Sequence, residues 1–308
     1  MPSPIPVTRL LPKDFYPFLD LETCSSPLNR NPGSTLQVPV QRLHGKVASR
    51  LWSTVIHWKE LRSVQPAGSG GFGSVYKADY FGETVALKKV KKCTKNKLAS
   101  RQSFWAELNA AHLRHENVVR VIAATTCMPA DFGDDSSIGA VLMEFVGTET
   151  CSRSSTVGLT LWRTANVLVS GEDVCKIVDF GSSLKLDHRC EVSCLSPHLS
   201  HVGGTYTHRA PELLKGEGLS PKADIFSFGI TLWQLITREQ PYTGDRQHVL
   251  YAVVAHNLRP SVQEHPVFQS EQGRQCRTLL GRCWSGDSRC RPTAQELVPQ
   301  LEQISSQT

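Results

Sequence analysis

Among its ten cysteines the sequence has no Cys-x-x-Cys pair. That absence argues against a zinc knuckle. The start, Met1-Pro2-Ser3-Pro4-Ile5, has no basic stretch leading into an apolar run, so no secretory leader is read there. The cysteines are therefore expected to be reduced thiols in a cytoplasmic protein. Long apolar runs are missing as well. The longest, Ile225 to Ile236, is broken by Ser227, Gly229 and Thr231 and is too short to cross a membrane. No internal repeat is evident. The formal net charge of +6 is mild and spread along the chain, without the concentrated basic patch of a nucleic-acid-binding surface. The densest basic run, Lys88 to Lys97, is expected to be a solvated strand end and loop.

What remains is 308 residues of ordinary globular composition, 40% hydrophobic and 20% charged. That length suits a two-lobed enzyme domain with a short extension. Residues 1–58 are rich in Pro, Ser and Asn and read as an irregular extension. Ordered structure is expected from near Trp58, in a domain spanning 59–304. From Leu61 to Val90 the pattern is strand, glycine turn, strand, turn, strand. Helical periodicity covers Ser103 to Arg114, with Phe104, Leu108, Ala111 and Leu113 recurring. Val118–Thr125 and Ala140–Phe145 have strand length. Beyond Ser220 the chain turns helical, and Ala294–Ile304 reads as a closing amphipathic helix. The expected class is α+β, a small β-rich N-lobe (59–146) before a helical C-lobe (147–304).

Gly68-Ser69-Gly70-Gly71-Phe72-Gly73-Ser74-Val75 fits G-x-G-x-x-G-x-V. Glycines serve where backbone must approach phosphates without side-chain obstruction. Dinucleotide-binding folds use a similar pattern, but theirs opens a helix. Here the glycines run into β-branched and aromatic alternation and then another strand, Val85-Ala86-Leu87-Lys88. A lysine there can reach the α- and β-phosphates of ATP. Glu107, on the next predicted helix, can hold that lysine in place. Lys176-Ile177-Val178-Asp179-Phe180-Gly181 contains a D-F-G whose carboxylate would hold Mg²⁺. Asn166 has the spacing of a second metal ligand, and Val167–Val169 and Cys175–Ile177 read as two short strands between them. A second D-F-G, Asp131-Phe132-Gly133, has turn-like neighbours and is read as coincidence. Further on come Ala210-Pro211-Glu212, Asp224-Ile225-Phe226-Ser227-Phe228-Gly229 and Arg291-Pro292.

In this order the motifs resemble those of the protein serine/threonine kinases. Longer stretches, among them Lys92–Arg101, Phe104–Asn109, Gly203–Gly218 and Tyr251–Ala255, are similar to the germ-cell kinases of that family. The resemblance implies a bilobal fold and a monomeric cytoplasmic enzyme using ATP and Mg²⁺. Its protein substrate would be a mitogen-activated protein kinase kinase in oocyte meiosis. It implies that Met143-Glu144-Phe145-Val146 joins the lobes, with Glu144 and Val146 backbone groups on the adenine edge and Met143 behind it. Leu168 would lie beneath the adenine, opposite Val75 and Ala86. Glu212 would pair with Arg291, and Asp224 would accept hydrogen bonds from the catalytic-loop backbone.

One departure is sharp. The family's catalytic loop places an aspartate five residues before the asparagine. Here Leu159-Thr160-Leu161-Trp162-Arg163-Thr164-Ala165-Asn166 puts Leu161 at that place. A leucine can neither accept a hydroxyl proton nor orient the hydroxyl. The interval from Met143 to Asn166 is also too short for the two helices a kinase has there, because a helix of ~20 residues alone would nearly fill it. The C-lobe therefore reads as shortened at about 147–165. The alternative function is a nucleotide-binding pseudokinase or interaction module without phosphate transfer.

Overall fold

The architecture was taken from a computed structural model that describes residues 53, 55–69, 73–91, 97–130, 132, 137–147, 166–184, 186, 206–263 and 265–306. The extension up to residue 52 and the catalytic-loop segment with Leu161 lie outside the described residues.

Alternating apolar residues build the first layer. Strands β1 (Leu61–Ser69), β2 (Gly73–Tyr80) and β3 (Glu83–Lys91) follow one another antiparallel. A two-residue turn at Phe81-Gly82, both with positive φ, joins β2 to β3, and the Gly82 amide donates to Asp79 Oδ1 at 2.9 Å. With β4 (Val121–Thr125) and β5 (Ser137–Glu144) they form a five-stranded sheet of order β1-β2-β3-β5-β4.

The period of two gives this sheet two apolar faces. Val85 and Leu87 on β3, with Ala140 and Leu142 on β5, face a cluster containing Ile56, Leu61 and Tyr80. Ala86 and Val90, with Val141 and Met143, face Phe104, Leu108 and Ala111. Those three belong to helix α1 (Lys97–Ala110) and the turn after it. Lys88 falls on the same side as Ala86 and Val90, so β3 delivers it toward α1.

Helix α1 is displaced from the expected Ser103–Arg114. Its first turn lacks the apolar spacing that marks the rest. Its C-terminal end is closed early by a turn in which Arg114 Nη1 donates to the Ala111 carbonyl at 2.8 Å. The strand expected from Val118 starts at Val121, because Val118 bridges to Ile177 instead. Lys89 of the basic run lies over the Tyr76 and Phe132 rings, at 5.1 and 5.7 Å, and is not merely solvated. Phe132 of the second D-F-G also packs on Trp58, so its role there is apolar cover.

Strands β6 (Val167–Val169) and β7 (Cys175–Ile177) form an antiparallel ribbon, as expected. The remaining chain is helical: α2 (Pro211–Lys215), α3 (Lys222–Thr237), α4 (Arg246–Ala255), α5 (Glu271–Cys283) and α6 (Ala294–Ser305). Phe226, Ile230 and Trp233 of α3 pack with Leu280 and Trp284, in and just after α5. Ile225 of α3 meets Leu279, Cys283 and Leu297, which brings α6 into a second cluster. A capping box starts α6: Thr293 Oγ1 accepts from the Glu296 amide and Glu296 Oε2 accepts from the Thr293 amide.

Candidate active site

Lys88, Glu107 and Asp179 come together from three elements. Lys88 Nζ donates to Glu107 Oε2 at 2.8 Å and to Asp179 Oδ1 at 2.7 Å. Lys88 and Glu107 are both buried, whereas the Asp179 side chain is about a third exposed. Burial by itself would lower the Lys88 ammonium, but the charges of Glu107 and Asp179 outweigh it and hold Lys88 above the ordinary lysine value. The lysine is thus a permanent cation. Burial raises the Glu107 carboxyl, and Lys88 only partly pulls it back because Asp179 shares that lysine and repels Glu107.

Backbone geometry brings Asp179 into reach. Its φ is +63, in the left-handed region. The Phe180 amide donates to Glu107, which ties the D-F-G to α1. Gly181 then passes so close to α1 that a Cβ there would lie 2.4 Å from Ser103 Oγ and 3.2 Å from Glu107 Oε2. A larger residue would have to displace the Ser103 hydroxyl.

The Val178 amide donates to the Asn166 carbonyl at 2.8 Å, so Asn166 stands opposite the residue before Asp179. An amide oxygen and a carboxylate suit a hard cation such as Mg²⁺. Asp179 Oδ2 makes no hydrogen bond among the described residues. No group of three or more His, Cys, Asp or Glu could hold a metal among these residues. The pair fits an ion that completes its shell with water and substrate phosphates, as Mg²⁺ does.

The other expected positions are distributed as follows. Gly68 and Ser69 end β1, and Gly73 and Val75 begin β2. Gly70, Gly71 and Phe72 lie outside the described residues. Val75, Ala86, Met143 and Val146 belong to one apolar cluster, whereas half-buried Leu168 on β6 does not belong to it. Glu144 ends β5.

The sequence reading missed how the ribbon is held. Lys176 Nζ donates to Glu144 Oε1 at 3.1 Å, and the Arg120 amide donates to the same oxygen at 2.9 Å. The Ile177 amide donates to the Asn117 carbonyl, the Val119 amide to the Ile177 carbonyl, and Asn117 Nδ2 to the Cys175 carbonyl, at 2.8, 3.0 and 2.9 Å. Nothing in the sequence pairs these positions, which stand far apart along the chain.

In the helical region the expected Glu212–Arg291 pair is formed and bidentate. Arg291 Nη1 donates to Glu212 Oε1 at 2.6 Å and Nη2 to Oε2 at 2.8 Å. The Asp224 carboxylate makes no hydrogen bond among the described residues, and the backbone expected to bond it lies outside them.

A protein kinase domain profile matches residues 163–301. The serine/threonine-protein kinase mos of Xenopus laevis is 48% identical, with 98% of this chain and 93% of the relative covered. The chain belongs to the Mos family of serine/threonine protein kinases. The family member from Gallus gallus is 43% identical with 99% of both chains covered, and the Sus scrofa proto-oncogene kinase is 43% identical with 100% and 99% covered. The Gallus alignment runs over 355 positions, and 355 less 308 leaves at least 47 without a counterpart here. This Mos-family chain therefore has the β-rich N-terminal and helical C-terminal regions of the bilobal kinase fold.

Proposed function

We propose that the chain binds Mg·ATP and passes the γ-phosphate to Ser or Thr of a mitogen-activated protein kinase kinase. It would do so as a cytoplasmic monomer in oocyte meiosis. The observation that carries the reading is Lys88 held between Glu107 and Asp179 at 2.8 and 2.7 Å. A fixed cation beside a carboxylate suits binding and charge neutralisation of phosphates. Gly68, Ser69, Gly70, Gly71, Phe72, Gly73 and Val75 would cover those phosphates. Ala86, Met143, Glu144, Val146 and Leu168 would enclose the base. Asn166 and Asp179 would hold Mg²⁺, which when bound offsets charge on the β- and γ-phosphates. The Ser or Thr acceptor rests on the relatives, which are serine/threonine-protein kinases, and the choice of a mitogen-activated protein kinase kinase on the family resemblance.

At Leu161 no group takes the substrate hydroxyl proton. Losing a general base lowers a rate by about 10²–10⁴-fold. Transfer is therefore expected at that reduced rate, carried by positioning and electrostatics alone. Leu161 also favours a second reading, nucleotide binding with no transfer. The test is incubation of the purified chain with γ-labelled ATP, Mg²⁺ and the kinase substrate, beside Lys88→Met. Slow labelling that disappears in Lys88→Met supports the first reading. A thermal shift with Mg·ATP but no labelling supports the second. Neither shift nor labelling rejects both.

A further inference from the structure

We infer that Lys176 is a positioning residue that sets the metal ligands of the ribbon relative to the adenine edge. The inference rests on the nucleotide-binding reading above. Lys176 lies three residues before Asp179 on β7, in register with Leu168 of β6. Its ammonium reaches across to Glu144, the last residue of β5. On that reading the backbone of Glu144 meets the adenine edge, and Asn166 and Asp179, which flank the ribbon, supply two oxygen ligands for Mg²⁺. A bound nucleotide must satisfy both ends at once, so the spacing between Glu144 and the ribbon has to match the ligand.

Three features make this contact a spacer and not an ordinary surface ion pair. Both side chains are mostly buried, at 19% and 25% exposure, so water competes weakly. Glu144 Oε1 is already fixed by the Arg120 amide at 2.9 Å, and the Glu144 amide donates to the Arg120 carbonyl at 3.0 Å. The carboxylate therefore offers a rigid acceptor. Further bonds to β7 come from Asn117 and Val119 and hold Cys175 and Ile177 by backbone and amide groups. Among the described residues, Lys176 refers the ribbon to the β5 end by a charged side-chain contact.

The mechanism predicts a specific loss. Without Lys176, β7 keeps its bonds to Asn117 and Val119 and the fold persists. The ribbon can then shift against Glu144, and a nucleotide seated at the adenine edge meets misplaced metal ligands. Metal-free binding should survive while the gain from Mg²⁺ falls.

The test measures the affinity of the full chain for ATP with Mg²⁺ and with EDTA, and for adenosine. Lys176→Met is expected to lower the Mg²⁺-dependent gain about tenfold, with adenosine binding changed less than twofold. Lys176→Arg should restore most of the gain, because it still reaches the carboxylate. Glu144→Leu, which keeps the backbone groups but removes the acceptor of Lys176, should reproduce the loss and covers the case of a poorly folded Lys176→Met. An unchanged Mg²⁺ gain in the folded variants overturns the inference while leaving the function standing. An equal loss of adenosine and Mg·ATP binding also overturns it, since that is a general structural effect. No nucleotide binding by the unaltered chain overturns the functional reading and this inference with it.

Discussion

Replacing Arg291 by Met should be among the most destabilising single changes in the helical region. Arg291 is 2% exposed and is held by four hydrogen bonds: two to Glu212, one from Nε to the Ser285 carbonyl at 2.9 Å, and one to the Lys222 carbonyl at 2.9 Å. Its guanidinium also lies 5.1 Å from the centre of the Phe226 ring. Methionine has comparable length and fills the space. What it leaves behind is the Glu212 carboxylate, 8% exposed and without its counter-charge. Breaking a buried pair by removing one partner costs about 3–5 kcal/mol. Domains are stable by only ~5–15 kcal/mol, so the change takes a large share. With a urea slope of about 2–3 kcal/mol/M, the unfolding midpoint should fall by roughly 1–2.5 M. The melting temperature should fall by about 6–20 °C at 2–4 °C per kcal/mol. Glu212→Gln added to Arg291→Met should recover part of the loss, because the stranded charge is gone. Arg291→Lys should fall between, since an ammonium cannot match both carboxylate oxygens. A loss under about 1 kcal/mol, the worth of an exposed ion pair, would refute the reasoning.

Gly181→Ala should drive the D-F-G away from α1, because its Cβ would lie 2.4 Å from Ser103 Oγ. Titration with Mg·ATP should show about a tenfold weaker affinity, with overpacking costing roughly 1–3 kcal/mol of stability. Burial pushes the Cys283 thiol up to about 11, so the native protein should resist maleimide there at pH 8, whereas exposed Cys127 and Cys290 should be labelled. Peptide mapping reads this directly, and equal labelling of Cys283 would contradict its burial. Hydrogen bonds from Arg289 pull the Asp287 carboxyl down to about 2, below the ordinary 3.8. A lowered folded pKa means the contact stabilises above pH ~4 and its contribution is lost as pH falls through about 2. Carbon-detected NMR titration of Asp287 should find that midpoint, and one near 4 would remove the argument.

Much of the site was legible because its chemistry is local or ordered. The glycine loop, Lys88 and Glu107 follow one another within two strands and a helix. Asn166 and Asp179 flank a short ribbon whose strands were readable from Val167-Leu168-Val169 and Cys175-Lys176-Ile177. Glu212 and Arg291 stand far apart and were paired only by family resemblance. Helices α4 and α5 were not individually read. In α5 the apolar stripe is Cys276, Leu279, Leu280 and Cys283, at i, i+3, i+4 and i+7, and is half cysteine amid Arg and Gln. Its clearest signal was the cap, where Ser270 Oγ accepts from the Gly273 amide. The Glu144–Lys176 contact had no local signal, because it depends on how β7 lies beside the turn before β4.

The bonds from Asn117, Val119 and Glu144 to β7 have a consequence for chain length. They are non-covalent moorings among the described residues, and they fix the ribbon to the sheet. A connector that only closes a loop is nearly indifferent to its length, since doubling it costs about 0.6 kcal/mol. A change in the number of residues after Gly147 should therefore leave the berth for the phosphates its dimensions. Shortening there would tax the large helical region and the hydroxyl-activating loop, and spare the nucleotide's seat.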